Sequence, residues 1–208
     1  MTIKIIGTGR YTPERIISND DLSEIVDTSD EWIKSRTGIR ERRIAVTEST
    51  VSMAVSAAKN AIADARIDEK ELDLIIVATS TPDEIFPNTA CRVQSHLENI
   101  HAMCFDLNAA CSGFLYALAT AHAYIQAGMI QTALLIGSEC ISKIIDWKDR
   151  STCVLFGDGA GAVVVTASEE GMFHCICNPD GTKADVITCD AGRFENFITK
   201  KEWNPYMY

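Results

Sequence analysis

The sequence predicts an α/β fold built on a mixed, largely parallel sheet with a central buried helix, and three observations carry that prediction. Short apolar runs rich in β-branched residues alternate with segments of helical period along most of the chain. The segment from Cys111 to Ala127 is apolar almost all the way round. A helix of that kind in water has to be covered on nearly every side, which places it at the centre of a layered protein. Composition agrees, because 47% hydrophobic and 23% charged residues is the balance of an ordinary globular chain.

The elements follow in order. Ile3 to Ile6 reads as a first strand, followed by Gly7 and Gly9. Asn19 to Ile25 and Ser29 to Ser35 read as short helices, and Thr28-Ser-Asp-Glu31 has the capping-box spacing that starts the second. Thr50 to Ala65 carries Val51, Val55, Ala58, Ile62 and Ala65 at helical period. Leu72 to Thr79 is a buried strand that ends in the turn Thr81-Pro82-Asp83. A helix over Thr89 to Leu97, a strand over Ala102 to Leu107 and the apolar helix Cys111 to Ala127 come next, with Gly128 as the C′ residue. Thr132 to Gly137 is a further strand, and Gly161 to Thr166 pairs with Met172 to Cys177. Neither a linker nor a short-period repeat divides residues 1–208, so one domain is expected. The aromatic end Trp203, Tyr206, Met207 and Tyr208 fits a chain cut from something longer better than a tail that packs on a partner.

A net charge of −10 gives no general electrostatic case for nucleic acid. Arg36, Arg40, Arg42 and Arg43 nevertheless form a basic island, which suits either a phosphate-rich ligand or a solvated turn with internal ion pairs. No apolar run is long enough to span a membrane. The N-terminus lacks the features of a signal peptide, so a reducing cytoplasmic compartment is expected for the eight cysteines. Most of them sit in apolar runs where a thiol packs as a small hydrophobe. His174-Cys175-Ile-Cys177 has no second pair at zinc spacing and fits a strand better than a metal site, so no metal is expected.

The chemistry centres on Phe105-Asp-Leu-Asn-Ala-Ala-Cys111-Ser-Gly-Phe114, where a strand ends, small residues turn the chain and a cysteine opens a helix. Helix N-termini favour thiolate over thiol, and the small neighbours leave room for a thioester. A buried structural cysteine at a strand–helix junction is the competing reading. Gly157-Asp-Gly-Ala-Gly161 lacks the lysine and hydroxyl of a P-loop and the spacing of a dinucleotide fingerprint, so a structural role is expected there.

Ala109-Ala-Cys-Ser-Gly-Phe114 resembles the nucleophile motif of the β-ketoacyl-[acyl-carrier-protein] synthase III family, within the thiolase-like superfamily. The likeness continues, in order, at Ile5-Ile-Gly-Thr-Gly-Arg-Tyr-Thr-Pro13, at Asp27-Thr-Ser-Asp-Glu-Trp-Ile-Lys-Ser-Arg-Thr-Gly-Ile-Arg40 and at Phe156-Gly-Asp-Gly-Ala-Gly-Ala162. The resemblance implies the N-terminal half of a duplicated thiolase-like fold and a ping-pong Claisen condensation. An acyl-CoA acylates Cys111, then malonyl-acyl-carrier protein decarboxylates and attacks the thioester, starting a fatty acid. By the same resemblance Trp32 and Arg150 sandwich the CoA adenine, Thr28 and Arg36 lie near the nucleotide, and Phe86 reaches across a dimer interface to shape the acyl pocket.

The resemblance implies no permanently bound cofactor. It implies as partners acyl-CoA, malonyl-acyl-carrier protein and a homodimer mate or a complementary C-terminal half. The family's catalytic histidine and asparagine belong to that second half, and His96, His101, His122 and His174 here lie in segments unlike its histidine motif. The alternatives are a half-synthase that binds CoA or a partner without turnover, and a related thiolase-like acyltransferase with another acceptor. A metal or redox module stands behind these.

Overall fold

A computed structural model of the chain describes residues 1–189. They fall into two compact units, Met1–Cys177 and one that starts at Asn178. In the second unit the described part is a pair of tight turns over Gly181–Val186, started by Asp180, whose carboxylate accepts from the Thr182 N–H at 3.1 Å. Trp203, Tyr206, Met207 and Tyr208 lie outside the described residues.

The first unit runs β1 (Thr2–Tyr11), β2 (Ile16–Ser18), α1 (Asn19–Ser23), α2 (Asp30–Thr37), β3 (Glu41–Arg43) and α3 (Thr50–Ala65). It continues with β4 (Leu74–Ala78), α4 (Thr89–His96), β5 (Met103–Leu107), α5 (Gly113–Gln126), β6 (Thr132–Cys140), α6 (Arg150–Cys153) and β7 (Asp158–Ser168). Five strands make one sheet in the order β1-β7-β6-β4-β5. β4 is parallel to β5 and β6, and β7 is antiparallel to β6 and β1. Four strands therefore point one way and β7 the other, the mixed and largely parallel sheet expected.

Two helical layers cover the sheet. On one face Met53, Ala57 and Ala61 of α3 pack with Ile75, Val77, Leu134 and Ile136. Gly7 and Gly9 let α3 approach β1, because a Cβ at Gly9 would stand 2.2 Å from the Ala57 carbonyl oxygen. On the other face Ala117, Ala121 and Ile125 of α5 pack on Leu74, Ile76, Leu135 and Val165. A smaller core of Leu22, Val26, Ile33, Cys153 and Val154 joins α1, α2 and α6.

Several expectations change. The apolar helix begins at Gly113, and Cys111 lies before it in a 3₁₀ turn over Ala110–Ser112. Only Gly113, Ala117, Ala121 and Ile125 of α5 are buried, and Leu115 is 58% exposed. The helix is thus covered on one face, and the second layer its composition calls for is absent among the described residues. Met172 to Cys177 is not a strand, because β1 and β6 already take both edges of β7. Instead, the Phe173 ring rests against His122 of α5 at 4.5 Å. Ser29, not Thr28, caps α2, with its side chain accepting from the Trp32 N–H. Residues 158–161 of the glycine-rich stretch open β7 and are not a turn. β2, β3 and α6 escape a periodicity reading because each is four residues or fewer.

Candidate active site

β4, β5 and β6 deliver their carboxyl ends to one edge, with Ala78 level with Leu107 and Gly137. In open α/β sheets that edge is where ligands bind. The chain leaves β5 through Asn108, whose Oδ1 accepts from the Ala110 N–H and from Ser80 Oγ, each at 3.2 Å. The loops after β4 and β5 are tied together in this way. Ala110 then adopts φ +45°. A non-glycine residue there costs about 1–2 kcal/mol, which the flanking hydrogen bonds and the docking of α5 must hold in place. The docking is close, since a Cβ on Gly113 would stand 3.0 Å from the Ala78 Cβ. This strained turn leaves Cys111 exposed at the strand ends.

A carboxylate braces the same edge. Glu139 Oε1 accepts from the Ser80 N–H at 2.7 Å, and its Oε2 accepts from the hydroxyls of Thr79 and Thr81. Thr81 Oγ1 in turn accepts from the Cys140 N–H at 2.9 Å. The sequence reading missed Ser80, Asn108 and Glu139; Ser80 and Asn108 lie just past the ends of β4 and β5 and Glu139 is the penultimate residue of β6, and nearness to a strand end was their only sign. Beside the start of α5, Thr8, Gly9, Phe114, Gly137 and Gly161 line an open groove of about 420 Å³ on the sheet face.

The other cysteines differ in environment. Cys140 and Cys153 are buried, and burial pushes both thiols up. Burial, followed by the neighbouring Cys91, pushes Cys104 up to about 12. Packing as a small hydrophobe therefore holds for Cys140 and Cys153, whereas Cys111, Cys175 and Cys189 are exposed.

A second cluster gathers three of the remaining predicted residues. Ile33, fully buried, fixes α2, and Trp32 sits half-buried beside it. The guanidinium carbons of Arg36 and Arg150 each lie 4.6 Å from the Trp32 ring centroid. Arg150 opens α6, which Asp149 caps, and its Nη1 donates to the Asp27 carbonyl at 2.9 Å. Hydrogen bonds from the Ser151 and Thr152 side chains hold the Asp149 carboxyl below its usual range. Thr28 lies at the entry to α2 with a buried hydroxyl that has no partner among the described residues. Phe86 is 83% exposed in the loop between β4 and α4 that also carries Ser80 and Thr81.

The basic island divides. Arg42 is 5% exposed and turned inward, with its guanidinium donating to the Ile17 carbonyl at 3.2 Å, Asn19 Oδ1 at 2.9 Å and the Val154 carbonyl at 3.0 Å. Burial pushes its pKa down. Arg43 donates to the Pro13 carbonyl at 3.2 Å and pairs with Glu41 at 3.7 Å. That leaves Arg36 and Arg40 as the exposed members. Gly157 lies tight against this brace, where an added Cβ would stand 3.0 Å from Arg43 O and 3.1 Å from Arg42 Cβ. Asp158, the first residue of β7, accepts from the Ala45 N–H at 2.7 Å and from Ser142 Oγ at 2.6 Å.

Residues 105–181 match the family described as 3-oxoacyl-[acyl-carrier-protein (ACP)] synthase III. The chain is 53% identical over 191 residues to the β-ketoacyl-[acyl-carrier-protein] synthase III of Clostridium acetobutylicum, covering 91% of this chain and 59% of that protein. It is 52% identical over 201 residues to that of Clostridium botulinum strain 657, covering 96% of this chain and 62% of the relative. Among solved structures, 3-oxoacyl-[acyl-carrier-protein] synthase III from Aquifex aeolicus superposes with TM-score 0.79 at 57% identity, covering 81% of this chain and 55% of that one. The Thermus thermophilus synthase III superposes with TM-score 0.83 at 47% identity, covering 87% and 57%. The chain spans about three fifths of the length of the curated relatives it matches.

Proposed function

Since the chain belongs to the β-ketoacyl-[acyl-carrier-protein] synthase III family, we propose that its share of the reaction is acyl transfer from acyl-CoA to the Cys111 thiol. The observation that carries this reading is the exposed cysteine presented at the strand ends by a left-handed Ala110 and a short 3₁₀ turn. In the first step the Cys111 sulfur attacks the thioester carbonyl. The bond to the CoA sulfur then breaks, and CoA leaves as a thiolate that takes up a proton. In the second step malonyl-acyl-carrier protein loses carbon dioxide, and the resulting enolate carbon attacks the Cys111 thioester. The new carbon–carbon bond releases the cysteine and yields a 3-oxoacyl-carrier protein.

Trp32, Arg36, Arg150 and Thr28 receive the nucleotide end of CoA in this reading. An indole and a guanidinium suit the two faces of an adenine, and arginine suits phosphate. At 4.6 Å the Arg150 guanidinium stacks directly on Trp32. Arg150 must therefore swing aside for a base to enter between them. An exposed cation–π contact is worth only about 0.5–1 kcal/mol, so opening is cheap. The unpartnered Thr28 hydroxyl is a group that a bound nucleotide could satisfy. Phe86, exposed and apolar, is assigned to a dimer contact that closes the acyl pocket.

Decarboxylation needs hydrogen-bond donors for the enolate. The family's histidine and asparagine supply them from a region this chain's matched residues do not include, so we assign that step to a complementary C-terminal half covering the outer face of α5. Incubation with acetyl-CoA and intact-mass measurement tests the reading. One acetyl group should appear on the wild-type chain and none on Cys111→Ser. Retained CoA binding without any adduct would support a CoA-binding module in place of an acyltransferase.

A further inference from the structure

Cys175 and Cys177 play no part in the acyl transfer above, and both lie in the first unit. Their sulfurs are 3.2 Å apart. We propose that they form a thiol–disulfide redox site whose substrates are low-molecular-weight disulfides of the glutathione class. The segment from Met172 belongs to no strand or helix. Its backbone is therefore free of ladder bonds that would stop the sulfurs closing to a bond length of about 2.05 Å. Cys175 is exposed and open to a small disulfide, while Cys177 is half-buried behind it. The hydrogen bond between the two thiols is the main reason the Cys177 thiol stands above its ordinary range. That arrangement makes Cys175 the attacking sulfur and Cys177 the resolving one. Of the cysteines outside the acyl-transfer site, Cys140 and Cys153 are buried and Cys104 is pushed up to about 12, first by burial.

The chemistry balances as two exchanges. The Cys175 thiolate attacks one sulfur of the small disulfide, forming a mixed disulfide and expelling one thiolate, which takes the Cys175 proton. The Cys177 sulfur then attacks Cys175, releases the second small thiol with the Cys177 proton, and closes the protein disulfide. The dithiol is oxidised by two electrons and the small disulfide is reduced to two thiols. With one residue between the cysteines the closing step is intramolecular, at an effective concentration of roughly millimolar or above.

The test treats the full chain with oxidised glutathione, alkylates the remaining thiols and maps the products by tandem mass spectrometry. A Cys175–Cys177 disulfide should exceed the glutathione adduct on either residue by at least about tenfold when free thiol is kept well below millimolar. Cys177→Ser should stall as the Cys175–glutathione adduct, and Cys175→Ser should form no closed bond. Phenylarsine oxide, which bridges two adjacent thiols, should shield Cys175 and Cys177 from alkylation in the wild-type chain and leave the surviving cysteine of either variant open to alkylation. A wild-type chain that accumulates the adduct without closing, pairs either residue with Cys189, or leaves both sulfurs unmodified while Cys111 reacts would overturn the proposal.

Discussion

Replacing Arg42 with methionine removes the brace that ties β2 and α1 to the end of α6. Three acceptors lose their donor: the Ile17 carbonyl, Asn19 Oδ1 and the Val154 carbonyl. A hydrogen bond to a charged group contributes about 1.5–3 kcal/mol. Part of that is offset here, because no carboxylate among the described residues pairs with Arg42 and methionine no longer buries a cation. Taking about 1 kcal/mol per lost bond gives a net loss of about 3 kcal/mol. For a chain of this size that lowers Tm by roughly 6–12 °C. Urea and thermal unfolding followed by near-ultraviolet circular dichroism would measure it, with Arg42→Lys recovering only part because an ammonium cannot reach all three acceptors at once. A loss under about 0.5 kcal/mol, the level of a neutral surface change, would show that the three contacts do not hold the small core together.

Trp32→Ala should weaken CoA binding by roughly 5- to 150-fold, the value of about 1–3 kcal/mol for an aromatic stacked on a base; calorimetry that finds an unchanged Kd removes Trp32 from the nucleotide site. Gly9→Ala places a Cβ 2.2 Å from the Ala57 carbonyl oxygen and 2.4 Å from the Ala61 nitrogen, both backbone atoms of α3. The loss should reach or exceed about 3 kcal/mol, read from the urea midpoint. Asp149 has a depressed folded pKa, caused first by the Ser151 side chain and then by Thr152. Its contribution is present above the unfolded carboxylate pKa of about 3.9 and is lost as pH falls through the lower folded value. Asp149→Asn should therefore show a smaller acid-induced drop in Tm than wild type.

The order of strands and helices was legible because burial imposes a period. Thr50 to Ala65 appears in the structure with the bounds its apolar spacing predicts, since one face of α3 meets the sheet along its whole length. Met172 to Cys177 carries the same alternation as a strand yet pairs with nothing, because sheet edges are a tertiary property that alternation does not encode. The family motif pointed to Cys111, Trp32, Arg36 and Arg150, and the last three do gather at one indole. It could not point to Glu139 or Asn108, whose roles come from strand ends that parallel pairing brings side by side. The four arginines looked alike in sequence. What separates Arg42 from Arg36 is which way the side chain turns, and only the packing of Val154 and Asn19 around it decides that.

The reading of the site rests on one sulfur among eight, and exposure alone does not single it out, because Cys175 and Cys189 are exposed as well. Brief treatment with acetyl-CoA, followed by peptide mapping of acetyl groups that hydroxylamine removes, compares all of them in one sample. The account predicts a hydroxylamine-labile acetyl on the peptide carrying Cys111, close to one per chain, and its loss in Trp32→Ala at low acetyl-CoA. Acetylation spread over Cys111, Cys175 and Cys189 alike, and indifferent to Trp32, would contradict it.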